Sequence, residues 1–330
     1  MTRRTRFAAL LVVPAAAVVL GVLLGSEPIA PGAVLDVLLG GGAGPIRTIV
    51  IDVRLPRVLL ALVLGGGLAL AGATFQALLR NPLAEPYILG VSGGAAVGAV
   101  TLIALGVAST TSWALPLAAF AGALVAIVLV FRVAAVGARG GHIDVRVLLL
   151  AGVVVGAFFS AVIAMILALS QARTLQSAVF WMMGSLTTAG WSEVAIAASY
   201  TFPAAALLLS QARALNAIAV GEESALYLGV EVERVKWLAL VVASLVTAAG
   251  VAVAGIIGFV GLVVPHLLRL VIGADHRVLL PMSILMGGAF LALSDILART
   301  IRPGLEIPIG VVTAFVGVPI FLVLLRRSTV

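Results

Sequence analysis

The sequence predicts an all-α polytopic membrane protein with about ten transmembrane helices, and three observations carry that prediction. Hydrophobic residues make up 63% of the 330 residues and charged residues 10%, with a mean hydropathy of +1.28. A soluble domain of that length would have too little charge to cover its surface. Apolar runs able to cross about 30 Å of hydrocarbon, at roughly 1.5 Å per residue, recur along the whole chain. The basic residues gather at the ends of these runs, where they set topology and meet lipid headgroups. The chain reads as one transmembrane domain, residues 1–330, without a sizeable domain outside the membrane.

The elements follow in order. Run 7–25 comes after Arg3, Arg4 and Arg6. It is longer than a signal-peptide core and has no small-residue cleavage site before Glu27, so it is expected to stay as the first span. A Gly- and Pro-rich loop leads past Arg47, Asp52, Arg54 and Arg57 to the second span, 58–79. The elbow Arg80-Asn81-Pro82-Leu83-Ala84-Glu85-Pro86 must turn, because each proline lacks an amide donor and disfavours helix in the residue before it. Small residues crowd both sides of the elbow, from Gly65 to Gly72 and from Gly90 to Gly98, and suggest that its two arms form a tightly packed helical hairpin.

Residues 87–131 are uncharged but too long for one helix, and Ser109 to Ser112 with Pro116 divide them into spans 87–107 and 114–131. The fifth span, 147–172, follows a polar loop. Residues 175–191 mix polar residues with Trp181 and Trp191 and read as a short surface helix. The sixth span is 194–211, and the loop 213–236 after it holds four of the 13 acidic residues. Gly255, Gly258, Gly261 and Pro265 split the next run into spans 237–255 and 259–273. Spans 278–298 and 307–325 complete the ten.

Ten spans place both termini on one side. If that side is cytoplasmic, 14 of the 20 basic residues lie inside, leaving Arg47, Arg54, Arg57, Arg173, Arg299 and Arg302 outside. An eleventh span at 175–191 would move seven basic residues outward, so the charge rule prefers ten. A multi-pass protein of the cell (inner) membrane with both ends cytoplasmic is expected.

Composition also narrows the chemistry. With no cysteine, disulfides, iron–sulfur clusters and thiol catalysis are excluded. His142, His266 and His276 have no second ligand at helical spacing, so no metal site is expected. The only lysine, Lys236, does not follow the glycines that a phosphate-binding loop requires, so ATP must be bound elsewhere. Asp295 lies four residues before Arg299, the favourable order for a helical ion pair, which is preferred over a proton relay. Catalytic residues, cofactors and nucleic-acid partners are not expected.

RLPR at 54–57, LAGATFQ at 70–76, RNPLAEPYILGVSGGA at 80–95, GFVGLVVPH at 258–266 and Glu306-Ile-Pro-Ile-Gly-Val stand together in one chain. Together they resemble the FecCD-type permeases, the membrane subunits of ABC importers for iron-siderophores, haem and cobalamin. The resemblance spans residues 54–325 and implies a type II ABC importer permease fold. It implies as partners a second permease copy, two ABC ATPase subunits and a periplasmic or lipid-anchored binding protein. The cargo would be a metal chelate, with iron-siderophore first because it is the family's broadest class.

Site roles follow by the same resemblance. Arg54, Arg57 and Arg299, at outer helix ends, would form a positive rim that docks acidic residues of the binding protein. Gly221, Glu222, Glu223, Ala225, Leu226, Leu228 and Gly229 would form a coupling helix for the ATPase. Asn81 and Leu83 would gate the cytoplasmic mouth. Pro265 and His266 would serve structure or gating, and Pro265 releases a carbonyl in the preceding turn that His266 or a neighbour could bond. The stretch His142-Ile-Asp144-Val-Arg146 departs from the small hydroxyl residues of the family and is not assigned a gate. The alternative is an ion-gradient-driven secondary transporter, which predicts several intramembrane acids and inverted repeats. An intramembrane enzyme would need clustered acids, and the acids here are scattered.

Overall fold

A computed structural model describes residues 3–42, 44–107, 113–136, 145–302 and 304–328 of the chain. Helices fall on all ten predicted runs. They are α1 (Arg3–Leu23), α4 (Leu55–Leu78), α5 (Val91–Ala104), α6 (Ala114–Val136), α7 (Val145–Ala168), α9 (Trp191–Ser210), α12 (Val232–Ala254), α13 (Val260–Ile272), α14 (His276–Thr300) and α15 (Ile309–Ser328). Short helices lie between them: α2 (Pro31–Leu38), α3 (Pro45–Thr48), α8 (Ala172–Met182), α10 (Ala212–Val220) and α11 (Glu222–Tyr227). A π-helical turn, Ile49–Arg54, runs into α4, and a 3₁₀ turn, Pro86–Leu89, precedes α5. The expected surface helix at 175–191 corresponds to α8, which ends at Met182. The predicted break at Ser109–Ser112 and the stretch His142 to Asp144 lie outside the described residues.

α4 is the axis of the bundle. Its apolar residues run all round the helix rather than along one stripe, the composition of a span enclosed by other spans. It packs against α14, α12, α13 and α9, and nearly all of its length is buried. Small residues make this possible. A Cβ at Gly65 would overlap the Gly287 carbonyl of α14, and one at Gly72 would overlap the Gly261 backbone of α13. Such close crossings gain dispersion contacts that larger side chains would forbid.

The hairpin expectation needs correction. α4 and α5 flank the elbow but do not pack against each other as a pair. α5 packs instead against α6 and α7, where Gly94 and Gly98 meet the carbonyls of Gly122 and Ala118. Small residues allow close approach but do not choose the partner, and here each arm of the elbow found a different one.

α13 starts inside the bundle, not at its end. Its first turn lies against Gly72, six residues before α4 stops, or about 9 Å along the helix axis. The chain between α12 and α13, residues 255–259, therefore turns within the bundle, where side chains of the elbow take up its backbone groups. Phe259 takes a left-handed φ of 68°, rare for an aromatic residue, and its side chain lies where a Cβ of Gly317 on α15 would fall.

Candidate functional site

The two ends of the bundle differ in their chemistry. At the α8 end, residues of α4, α6, α8, α9, α12, α14 and α15 surround a cavity of about 1080 Å³. Its lining includes Trp113, Ser177, Trp181, Thr187, Arg57 and Glu306. Its wall is held by backbone bonds from Ile309 and Gly310 at the start of α15 to Gly184 and Met183 after α8 (3.2 and 3.0 Å).

Arg54, Arg57 and Arg299 do not form an exposed rim here. They are 2%, 7% and 4% exposed. Arg57 donates from Nε and Nη2 to Asp295 (2.8–3.1 Å) and from Nη1 and Nη2 to Glu306 (2.9 and 3.0 Å). Its planar fork grips two carboxylates at once, tying α4 to α14 and to the loop before α15. Arg299 donates to the Gly21 carbonyl (2.7 Å), and its Nε is 3.3 Å from Asp295 Oδ2. The predicted Asp295–Arg299 pair is therefore present, alongside the Arg57 contact that the sequence reading missed. Arg54 donates to the carbonyls of Val22 (3.0 Å), Leu23 (2.7 Å) and Glu27. The last turn of α1 leaves the Val22 and Leu23 carbonyls without helical partners, and a cation there also suits the helix dipole. The cations exposed at this end are Arg47, Arg173 and Arg302.

Beyond the end of α4, the elbow is bolted to the α12–α13 break. Arg80 takes a left-handed φ of 47°, and Asn81 Oδ1 accepts from the Leu83 amide (2.9 Å), so Asn81 shapes the turn that presents the exposed Leu83. Tyr87 Oη donates to the Ile257 carbonyl (3.0 Å) and accepts from the Ile257 amide (3.2 Å). Glu85 Oε1 accepts from the Phe259 amide (2.9 Å). Pro265 has no amide, which frees the Gly261 carbonyl one turn back. Gln76 Nε2 of α4, and not His266, fills that vacancy, donating to Gly261 and Leu262 (3.3 and 3.2 Å). His266 is half-buried one residue on, and its Nδ1 has no hydrogen-bond partner. Among the described residues, no cluster of His, Asp and Glu could hold a metal ion. Glu85 and Tyr87 stand inside the quoted NPLAEPY motif but had no role assigned from sequence. The signal available was a polar pair among prolines in an apolar context.

At the α11 end, the predicted coupling segment divides by face. Gly229, with φ of 78°, ends α11 and lets the Val230 amide reach back to the Ala225 carbonyl (3.0 Å). Ala225 is fully buried, and Glu222 turns inward to Lys236 (3.1 Å). Leu226, Tyr227 and Leu228 are 60%, 86% and 74% exposed, and Glu223 is also exposed. Tyr227 is the most exposed of the apolar trio, and the sequence motif gives it no role. Beside this segment, Asn216 of α10 donates to Asp275 Oδ1 (2.8 Å) and accepts from the His276 amide (2.8 Å), joining α10 to the start of α14.

Comparison with known proteins agrees with this architecture. The FecCD transport family model matches residues 10–327. The chain is 48% identical over 284 residues to the cobalamin import system permease protein BtuC of Halobacterium salinarum, covering 86% of this chain and 75% of that one. It is 42% identical over 281 residues to the hemin transport system permease protein HmuU of Yersinia pestis, covering 84% and 83%. A solved structure described as an inward-facing conformation of a candidate metal-chelate type ABC transporter superposes with a TM-score of 0.85 at 31% identity, covering 99% and 100%. The all-helical architecture is that of a type II importer permease. The chain belongs to the FecCD transport family, whose members are transmembrane subunits of ABC importers and not themselves enzymes.

Proposed function

We propose that this permease carries a bulky metal chelate, and that the chelate is cobalamin or a related corrinoid. The observation that carries the reading is the pairing, in one chain, of a cavity of about 1080 Å³ at the α8 end with an exposed apolar helix, α11, at the other. A cavity at the upper limit of small-molecule sites suits a large cargo better than an ion or a sugar. The breadth of the family alone points to an iron-siderophore, but 48% identity to a cobalamin import permease favours a corrinoid over siderophore or haem.

In this reading the α8 end faces outward, both termini are cytoplasmic, and a binding protein delivers cargo there. The buried Arg54, Arg57 and Arg299 act from beneath, holding α1, α4, α14 and Glu306 as one platform. Exposed Arg47, Arg173 and Arg302 are the cations that an acidic partner meets first. Leu226, Tyr227 and Leu228 seat in an ATPase subunit, with Gly221 and Gly229 bounding the docking helix and Glu223 at its rim. Asn81 and Leu83 form the gate that closes the pathway, and Pro265 and His266 keep α13 in register beside it. A second copy of the chain covers the apolar residues Leu150, Val153 and Phe158 that α7 exposes.

The test is uptake into proteoliposomes holding the permease, its ATPase subunits and a binding protein, assayed with cobalamin, haem and a ferric siderophore. ATP-dependent uptake of cobalamin above the other two is expected. Uptake of haem or the siderophore alone would overturn the cargo. Uptake that follows a proton or sodium gradient and ignores ATP would overturn the importer reading.

A further inference from the structure

Lys236 is the one lysine among 20 basic residues, and it is 1% exposed. Its Nζ lies 3.1 Å from Glu222 Oε2 and 3.1 Å from Glu233 Oε1. The other oxygen of Glu222, Oε1, is 3.8 Å from Nη2 of Arg80. One carboxylate on α11 thus joins the first turn of α12 to the first residue of the elbow. The compact ammonium of Lys236 donates to both carboxylates from one point.

We infer that Arg80 and Lys236 are positioning residues that pass movement of α11 to the elbow carrying Asn81 and Leu83. The two contacts of Glu222 differ in kind. Its pairing with Lys236 is short and made to an ammonium that is itself enclosed, so it fixes α11 to α12. Its pairing with Arg80 is long and half-exposed, so it can break and re-form at little cost. A firm anchor on one side and a yielding contact on the other make Glu222 a lever arm. When a partner loads the exposed Leu226–Leu228 face, the displacement reaches Arg80, whose left-handed turn sets the direction of the elbow. This inference rests on the reading of α11 as the ATPase seat.

The test measures chelate uptake and ATP hydrolysis in parallel in the reconstituted complex. Arg80→Gly deletes the charge while keeping a residue suited to the left-handed turn, and Arg80→Lys keeps the charge. With Arg80→Gly, ATPase subunits still co-purify and ATP is hydrolysed, but uptake per ATP falls about fivefold. Arg80→Lys restores most of that ratio, and adding Arg80→Gly to Glu222→Gln brings no further loss. Unchanged uptake per ATP in Arg80→Gly, or fully additive losses in the double variant, would overturn the inference. Wild-type uptake without ATP would sink the importer reading itself, and this inference with it.

Discussion

Ion pairs at the two ends of the bundle are built from the same residue types and do opposite work. At the α8 end, Arg57 is held by two carboxylates while Arg54 and Arg299 are spent on the backbone carbonyls of α1. Every strong contact there joins elements that are already packed together, so the charges stiffen a platform. At the α11 end, Glu222 joins a six-residue surface helix to an elbow, and one of its two pairings is loose. A charge network is stiff where its contacts are short and bidentate, as at Arg57, whichever partners reach water. It can switch where one contact is long and half-exposed, as at Arg80.

The comparison breaks most directly at Arg57. Arg57→Ala leaves Asp295 enclosed without its main partner and should cost about 3–5 kcal/mol, read as a lower unfolding temperature in detergent. Adding Asp295→Leu should return much of that loss. If Arg57→Ala is stable and only binding-protein docking fails, the platform reading is wrong and the arginine acts on the partner directly.

Gly72→Ala comes next. The added Cβ forces α4 and α13 apart against the Gly261 backbone, at about 1–3 kcal/mol, with more protease cleavage near residues 255–259. Tyr87→Phe should cost about 1–3 kcal/mol, because both polar groups of Ile257 lose their side-chain partner away from water. Amide exchange at 255–259 should rise in that variant and stay unchanged around Arg57.

The smallest effect is expected at Asp275, the N-cap of α14. The Arg277 guanidinium, then the Asn216 amide, hold its carboxyl well below the usual aspartate range. A depressed folded value means that the contribution is fully present above the unfolded value, about 3.9, and fades only as pH falls toward the lower folded one. The Asp275→Ala destabilisation should therefore be flat from neutral pH to about pH 5 and shrink below pH 4.

Much of the molecule is legible along the chain. All ten apolar runs are helices because length and composition leave a bilayer-crossing segment no other way to satisfy its backbone. The elbow lies where Pro82 and Pro86 require it, and Gly221 and Gly229 bracket α11 as their spacing suggests. Even the carbonyl freed by Pro265 could be anticipated, though not that Gln76 would bond it.

Partner choice lay beyond the sequence. Glycines show that a helix can be approached closely, and only the assembled bundle pairs α4 with α14 and α5 with α6. The three outer arginines stand at helix ends on any reading, yet whether they face a partner or one another depends on where Asp295 arrives, 238 residues from Arg57. Composition and local spacing determined the spans, the turns and the capped helices, because those are settled within a few residues by backbone hydrogen bonding and hydrophobicity. The cavity, the buried charge platform and the Glu222 bridge belong to the tertiary structure. Each needs side chains from separate helices to meet within hydrogen-bond distance, and only packing decides that.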